Sequence, residues 1–349
     1  MALALAIAWA IRERDRPRRL LDRVGAATRS GDRPAALAAW RDLNRTGAVT
    51  ARTLLAEARA GLDLDRAADA RRALGRATEV DPADPEAWRS RLDLLRVLDR
   101  PAEAIALGRA ALRSVGPVGR RGLLASLTLA LLAEPPDDEA RDRLNRWIAA
   151  DPDDLDARVA LLARIAADPH PGDPDRGSRI ADLAAILGRD PGHVPAREAL
   201  AVALADAGET DRGRLVLDAW PAGARDARYD RLRGRWDLDF DRRPDRAAGS
   251  YRRALADLPH DWKSHYGLAR ALRAIGRVDE ARHEAVAVAR LRERLEPAAL
   301  GPRLAADLGR LDDPRALADL ADLCESAGLT IPADAWRREA RDLDRPPGR

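Results

Sequence analysis

The chain has 349 residues, 46% of them hydrophobic but only 3% aromatic, and its 61 basic side chains nearly balance 58 acidic ones, for a net charge of +3. That balance argues against a dedicated nucleic-acid binder, which needs a net basic face, and the sole cysteine, Cys324, excludes an intrachain disulfide or a cysteine-based metal site. Alanine and leucine supply most of the apolar fraction and favour helix, and few stretches alternate Val, Ile and Thr as strands do, so an almost entirely helical chain is expected.

Residues 1–16 stand apart. Ala2 to Ile11 is apolar throughout, and Arg12, Arg14, Arg16, Arg18 and Arg19 follow. Ten residues span only about 15 Å as helix, against a hydrocarbon core of roughly 30 Å. No basic segment precedes the run and no small-residue cleavage site follows it, which counts against a secretory leader. Two readings stand: the remnant of a membrane anchor that starts upstream of Met1, with Trp9 and the arginines at its edge, or a helix capping the array that follows. The first places the protein at a membrane through its N-terminus; the second leaves it cytoplasmic.

From residue 17 to residue 347 a repeat dominates. Ala36, Ala70 and Ala104 lie 34 residues apart, each inside an apolar pattern of helical spacing. A period near 34 in an Ala/Leu-rich chain marks stacked helix-turn-helix units, each unable to bury its apolar face alone. In chain order, the first unit supplies Leu20, Gly31, Ala36 and Trp40; the next, from Ala51, supplies Ala70, Leu74, Ala77 and Pro82. Trp88, Leu92, Leu95, Ala104 and Ala111 follow, then Leu124, Leu127, Leu131, Ala140, Leu144 and Trp147. The unit from Leu155 inserts a loop before Leu183 and Ile186. Val194 onward gives Leu200, Ala201, Leu204, Gly208, Leu217 and Trp220. The unit from Arg228 keeps Ala247, Tyr251, Ala254 and Pro259, but its first helix reads irregularly through Leu232 and Trp236. Trp262 opens His265, Leu268, Ala269, Leu272, Gly276, Ala281, Ala285 and Val288; the last unit runs from Pro314 through Leu317, Leu320, Ala321, Cys324, Gly328, Ala333 and Ala340.

These anchors resemble the tetratricopeptide repeat (TPR) family. The resemblance implies an all-α, right-handed superhelix of about nine stacked helix pairs, with a concave groove lined by the first helix of each pair. Small residues let the paired helices approach while large ones fill the gaps. Gly31, Gly208, Gly276 and Gly328 fall where first helices must stop, and glycine tolerates the left-handed cap. Asp81-Pro82, Asp151-Pro152 and Asp190-Pro191 end one unit and open the next, each aspartate suited to starting a helix. From Ala281 to Ala333 the spacing is 52, so residues 297–313 are expected to add one helix and disturb the superhelix locally. Units of a solenoid touch only their neighbours, so stability is expected to be local.

Candidate chemistry is sparse. Asp237-x-Asp239-x-Asp241 opens like a calcium loop, but Arg242 stands where that loop needs glycine and Ala248 where it needs glutamate. His170, between Asp168 and Asp173, lacks a second histidine at ligand spacing and reads as a proline-stiffened loop. His265 reads as packing, Cys324 as a small buried hydrophobe. No phosphate loop, nucleophile elbow or His-x-x-x-His occurs, so no catalytic residue, cofactor or metal site is assigned and the chain is read as non-catalytic.

In the TPR family, first-helix positions near 2, 5, 9 and 12 line the groove. The resemblance puts Arg52 and Arg59 there in one unit, Arg89 and Arg96 in the next, and Lys263, Tyr266, Arg270 and Arg273 near the C-terminus. Guanidinium forks suit carboxylates, so an acidic peptide or protein segment is the expected guest and no small-molecule substrate is. The lysine/asparagine clamp of some family members is not carried over, because Asn44 and Asn145 miss the groove slots. The function expected is a protein–protein interaction scaffold; the alternatives are a helical-repeat nucleic-acid binder, which the charge balance disfavours, and a regulatory module of a separately encoded enzyme.

Overall fold

A computed structural model describes residues 15–46, 50–133, 135–170 and 172–344. The apolar run Ala2–Ile11 lies outside them, and no helix among the described residues is long and apolar enough to cross a membrane. These residues form helices and no strand. The helices follow one another through short turns: α1 (Arg16–Arg29) packs on α2 (Arg33–Arg45) and α3 (Ala51–Asp63) on α4 (Ala67–Val80), and then come α5 (Pro85–Val97), α6 (Pro101–Ser114), α7 (Pro117–Leu132), α8 (Asp137–Ala150), α9 (Leu155–Ala167) and α10 (Arg176–Arg189). Next come α11 (Val194–Asp206) with α12 (Thr210–Asp218), α13 (Ala227–Arg235) with α14 (Pro244–Asp257), and α15 (Trp262–Ala274) with α16 (Val278–Arg294). A single helix, α17 (Pro297–Leu308), precedes the last pair, α18 (Pro314–Ser326) and α19 (Thr330–Asp344).

The break inside a pair repeats one backbone device. Gly31, Gly208, Gly276 and Gly328 all have positive φ, between 72° and 79°. Three further residues do the same without being glycine: Asp65 at 61°, Asp99 at 53° and Arg242 at 53°. The left-handed positions therefore run 31, 65, 99 and again 208, 242, 276, each step being 34. An L-residue there costs about 1–2 kcal/mol, which glycine avoids and aspartate partly offsets by local hydrogen bonding.

The break between pairs corrects the sequence expectation. Asp81, Asp151 and Asp190 do not start helices; they close α4, α8 and α10, each donating its backbone N–H to the last turn. Their carboxylates accept from the N–H two residues on, at Ala83 (3.1 Å), Asp153 (3.2 Å) and Gly192 (2.9 Å). Proline stops the old helix and the Asx turn reverses the chain. The new helix is capped three residues after each aspartate, by Asp84, Asp154 and His193 accepting from Glu86, Ala157 and Ala196 N–H.

Two compact units result. The first holds the described residues of Met1–Leu98, Leu107–Ser126 and Pro135–Arg158. Its core includes Val24, Ala36, Ala39, Trp40 and Leu64, and a second cluster of Leu54, Ala77 and Ala87. Here α4 meets chain far beyond its neighbours: Arg66 Nη1 donates to the Ala150 carbonyl (2.7 Å), and Arg71 pairs with buried Asp154 (2.7 Å).

The second unit holds the described residues of Asp99–Ala106, Leu127–Glu134 and Val159–Arg349. Its clusters centre on Trp220 and Trp236, and on Tyr251 with Leu268 and Leu272. Ala102 and Ile105 of α6 pack on Ala227, Ala254 and Leu258. Thr128 of α7 is wholly buried, accepts a 3.0 Å hydrogen bond from Trp336 Nε1 of α19, and lies 3.9 Å from Cys324 Sγ of α18. Units touching only their neighbours is thus not what this array does. The cause is in α7, where Leu123, Leu124, Leu127, Leu131 and Leu132 are buried together with Ser126 and Thr128. A helix apolar around most of its girth cannot be satisfied by one partner.

Candidate functional site

The first helix of a pair is aimed by a contact that sequence reasoning missed. Trp88 Nε1 donates to the Pro82 carbonyl (2.8 Å), Arg197 Nη2 to the Pro191 carbonyl (2.6 Å), and His265 Nε2 lies 3.0 Å from the Pro259 carbonyl. In each case a donor sits six residues after the proline of the inter-pair turn, on the first turn of α5, α11 or α15. The bulky fourth position is therefore also a tether, and a proline followed six residues later by Trp, Arg or His is its signal. At His265 the other nitrogen, Nδ1, lies 2.6 Å from Glu284 of α16. Burial opposes a charge on this ring, but Glu284, the Pro259 carbonyl and nearby Asp261 outweigh it and lift its pKa above the ordinary histidine value.

In the first unit the four groove arginines fare differently. Arg52 is exposed on α3. Arg59 is ion-paired with Glu86 of α5. Arg89 and Arg96 both act on Asp93, which also hydrogen-bonds Ser126, and the Arg89 guanidinium lies against Gly122 of α7. Most of this charge is thus answered within the chain. Asp93, one helical turn from each arginine, was legible as an i, i+4 neighbour; Glu86 needed the pairing of α3 with α5.

In the second unit the four remaining residues share one face of α15. Tyr266 is 53% exposed, and Trp262, one turn earlier, 36%. Arg292, from the last turn of α16, places its guanidinium 5.4 Å from the Trp262 ring centre, and Lys263 places its ammonium at 6.0 Å. Arg270 stacks on Tyr266 at 5.8 Å and pairs with Asp239 at 2.9 Å. Arg273 is exposed one turn further on. Among the described residues, no carboxylate lies within ion-pairing distance of Lys263, Arg273 or Arg292. Beneath this face, Arg231 of α13 bridges Glu198 of α11 (2.6 Å) and Asp261 (3.3 Å), tying three successive first helices together.

The Asp237 to Asp241 run carries no shared site, while His170 Nε2 lies 3.5 Å from Asp168. Asp237, Asp239 and Asp241 turn to different partners: Arg233 at 3.1 Å, Arg270 at 2.9 Å and Arg214 at 2.5 Å. They do so around one π-helical turn, Trp236–Phe240, which accounts for the irregular reading there. His170 N–H donates to Asp173 (2.7 Å), closing its own loop. Burial pushes the Cys324 thiol up to about 12, so it is not a nucleophile at neutral pH.

A protein of paired helices with a left-handed break at a 34-residue period is a helical-repeat protein. The chain belongs to the tetratricopeptide repeat family: that family's models match residues 55–117 and 236–297, and residues 172–235. No curated protein matches the chain. Among solved structures, a tetratricopeptide repeat protein from Parabacteroides merdae is similar at 13% identity and a TM-score of 0.35, over 74% of this chain and 99% of that one. A human IFIT1 dimer with PPP-AAAA is similar at 15% and 0.38, over 95% and 71%, and yeast Tom70 at 12% and 0.33, over 94% and 76%.

Proposed function

We propose that this protein is a non-catalytic scaffold that holds a partner protein or peptide on the exposed face of its first helices. Repeats of this family generally mediate protein–protein interaction. The observation that carries the reading for this chain is the α15 face, where two aromatic side chains stand exposed among cations. Large exposed aromatics are what partner surfaces select. Attachment to a membrane through residues 1–16 belongs to the same proposal and awaits fractionation of the full chain.

Site-specific photo-crosslinking tests it. A benzophenone side chain at position 266 is expected to trap one protein species in cell extract, while the same group at exposed Val286 on α16 is not. Equal trapping from both positions, or trapping of nucleic acid alone, would remove the scaffold reading.

A further inference from the structure

We propose that the α15 face is a seat for an acidic segment of a partner protein that also carries an aromatic or apolar side chain. This rests on the scaffold reading and narrows it to one patch and one ligand chemistry. The stripe runs Trp262, Lys263, Tyr266, Arg270 and Arg273, on one side of the helix by its i, i+1, i+4, i+8 and i+11 spacings. Its neighbours are neutralised: Arg270 by Asp239, Arg277 by Glu280 and Arg282 by Asp279. Lys263, Arg273 and Arg292 form no ion pair, although the Lys263 charge is felt by Asp261, and two of these three flank the exposed Trp262 ring. Three cations outside any ion pair, set around two half-exposed aromatic rings, ask for carboxylates and a flat or apolar group together. Carboxylates supply charge-assisted hydrogen bonds to the cations, and a side chain laid on Tyr266 or Trp262 removes apolar area from water.

The charge pattern favours a short acidic peptide over a nucleic acid. A phosphate backbone needs cations repeated along its path. Asp239 of the π turn and Asp279, Glu280 and Glu284 of α16 interrupt any such path beside α15. A peptide with two or three carboxylates needs only the three free cations. The first-unit arginines, paired with Glu86 and set around Asp93, offer no equivalent surplus beyond Arg52.

The test uses the full chain and three fluorescein-labelled probes: a dodecapeptide of Asp and Glu with one central Trp, the same peptide with Asn and Gln, and an oligouridylate of equal length. Fluorescence anisotropy at low salt is expected to show binding of the acidic peptide only, weakening as salt is added. Combining Lys263→Gln, Arg273→Gln and Arg292→Gln is expected to weaken it by about tenfold or more, as lost charged contacts should. Tyr266→Ala should weaken it too, and Arg52→Gln should leave it unchanged. An unchanged circular dichroism spectrum separates loss of binding from loss of fold. Equal binding of the uncharged peptide, preference for the oligouridylate, no binding of the acidic peptide, or indifference to the triple substitution would each overturn the proposal. If position 266 still crosslinks a partner that the acidic peptide cannot displace, the ligand chemistry is wrong and the scaffold reading survives. If position 266 traps nothing, both fail.

Discussion

Gly267→Ala should destabilise this protein although it sits in the middle of a helix. Elsewhere in a helix interior the exchange of glycine for alanine gains about 1 kcal/mol. At Gly267 the added Cβ would stand 2.2 Å from Tyr251 Cζ and 2.6 Å from its Oη. The ring has nowhere to go, since a Cβ on Gly234, on its other side, would already be 3.0 Å from three ring carbons. Tyr251 is 4% exposed and fills the slot between α13 and α15. Overpacking of this kind costs about 1–3 kcal/mol and more when a rigid ring must leave, so packing outweighs propensity and a net loss of about 2 kcal/mol is expected. Native-state hydrogen exchange of α14 and α15 amides reads it locally. Gly75→Ala, in the interior of α4 with nothing within 4 Å of its Cβ, is the control and should stabilise. In a Tyr251→Leu background the penalty at Gly267 should fall by at least about 1 kcal/mol, the coupling expected of residues in contact. If Gly267→Ala slows exchange as Gly75→Ala does, the ring is not held in that slot and the reasoning fails.

Arg242→Gly should stabilise the α13/α14 pair by about 0.5–1 kcal/mol, because it relieves an arginine at φ 53° and restores the residue found 34 positions either side; urea unfolding of the variant checks this. His265 should make stability depend on pH near neutrality. Its pKa is raised on folding, so the stabilisation is complete below about pH 6.5 and is lost as pH rises through the higher folded value. Glu284→Gln should flatten that slope, and NMR titration of the ring should show the raised midpoint fall. Thr128→Val leaves Trp336 Nε1 buried without its acceptor, at a cost of about 1–3 kcal/mol. Hydrogen exchange should then rise in residues 123–132 and 314–344 together; a rise confined to α7 and α8 would mean that α7 does not meet the last pair.

How much of this was legible depended on how far apart the contributing residues lie. The four glycines announced the left-handed break because glycine is its commonest solution. Asp65, Asp99 and Arg242 use the same geometry without the marker, and only counting 34 from a glycine finds them. The groove slots came from the resemblance to the repeat family, and the helical spacing of Lys263, Tyr266, Arg270 and Arg273 puts them on one face of α15. Which of those charges are already answered was not legible. Glu86 reaches Arg59, and Asp239 reaches Arg270, through the register of neighbouring pairs. The contact of Thr128 with Trp336 crosses 208 residues and leaves no local trace beyond a helix with too many leucines.

The departures from the period explain why the unanswered charge collects at α15. Four other second helices stop at an Asp-Pro or Leu-Pro turn: α4 before Pro82, α8 before Pro152, α10 before Pro191 and α14 before Pro259. In phase with Pro259, 34 residues on, the chain has Glu293. Nothing removes the N–H there, so α16 continues to Arg294 and reaches 17 residues, where α14 has 14. That extra turn carries Arg292 to the Trp262 ring. It also displaces the next helix: α17 begins only at Pro297, out of phase, and α16 buries just Ala281 and Leu291, leaving Ala285 exposed where the repeat would cover it. The missing proline thus lengthens one helix, adds one cation to an exposed aromatic ring, and interrupts the stacking beside it. Restoring the turn with Glu293→Pro would end α16 near Leu291, take Arg292 off the ring, and weaken acidic-peptide binding without touching any residue of α15.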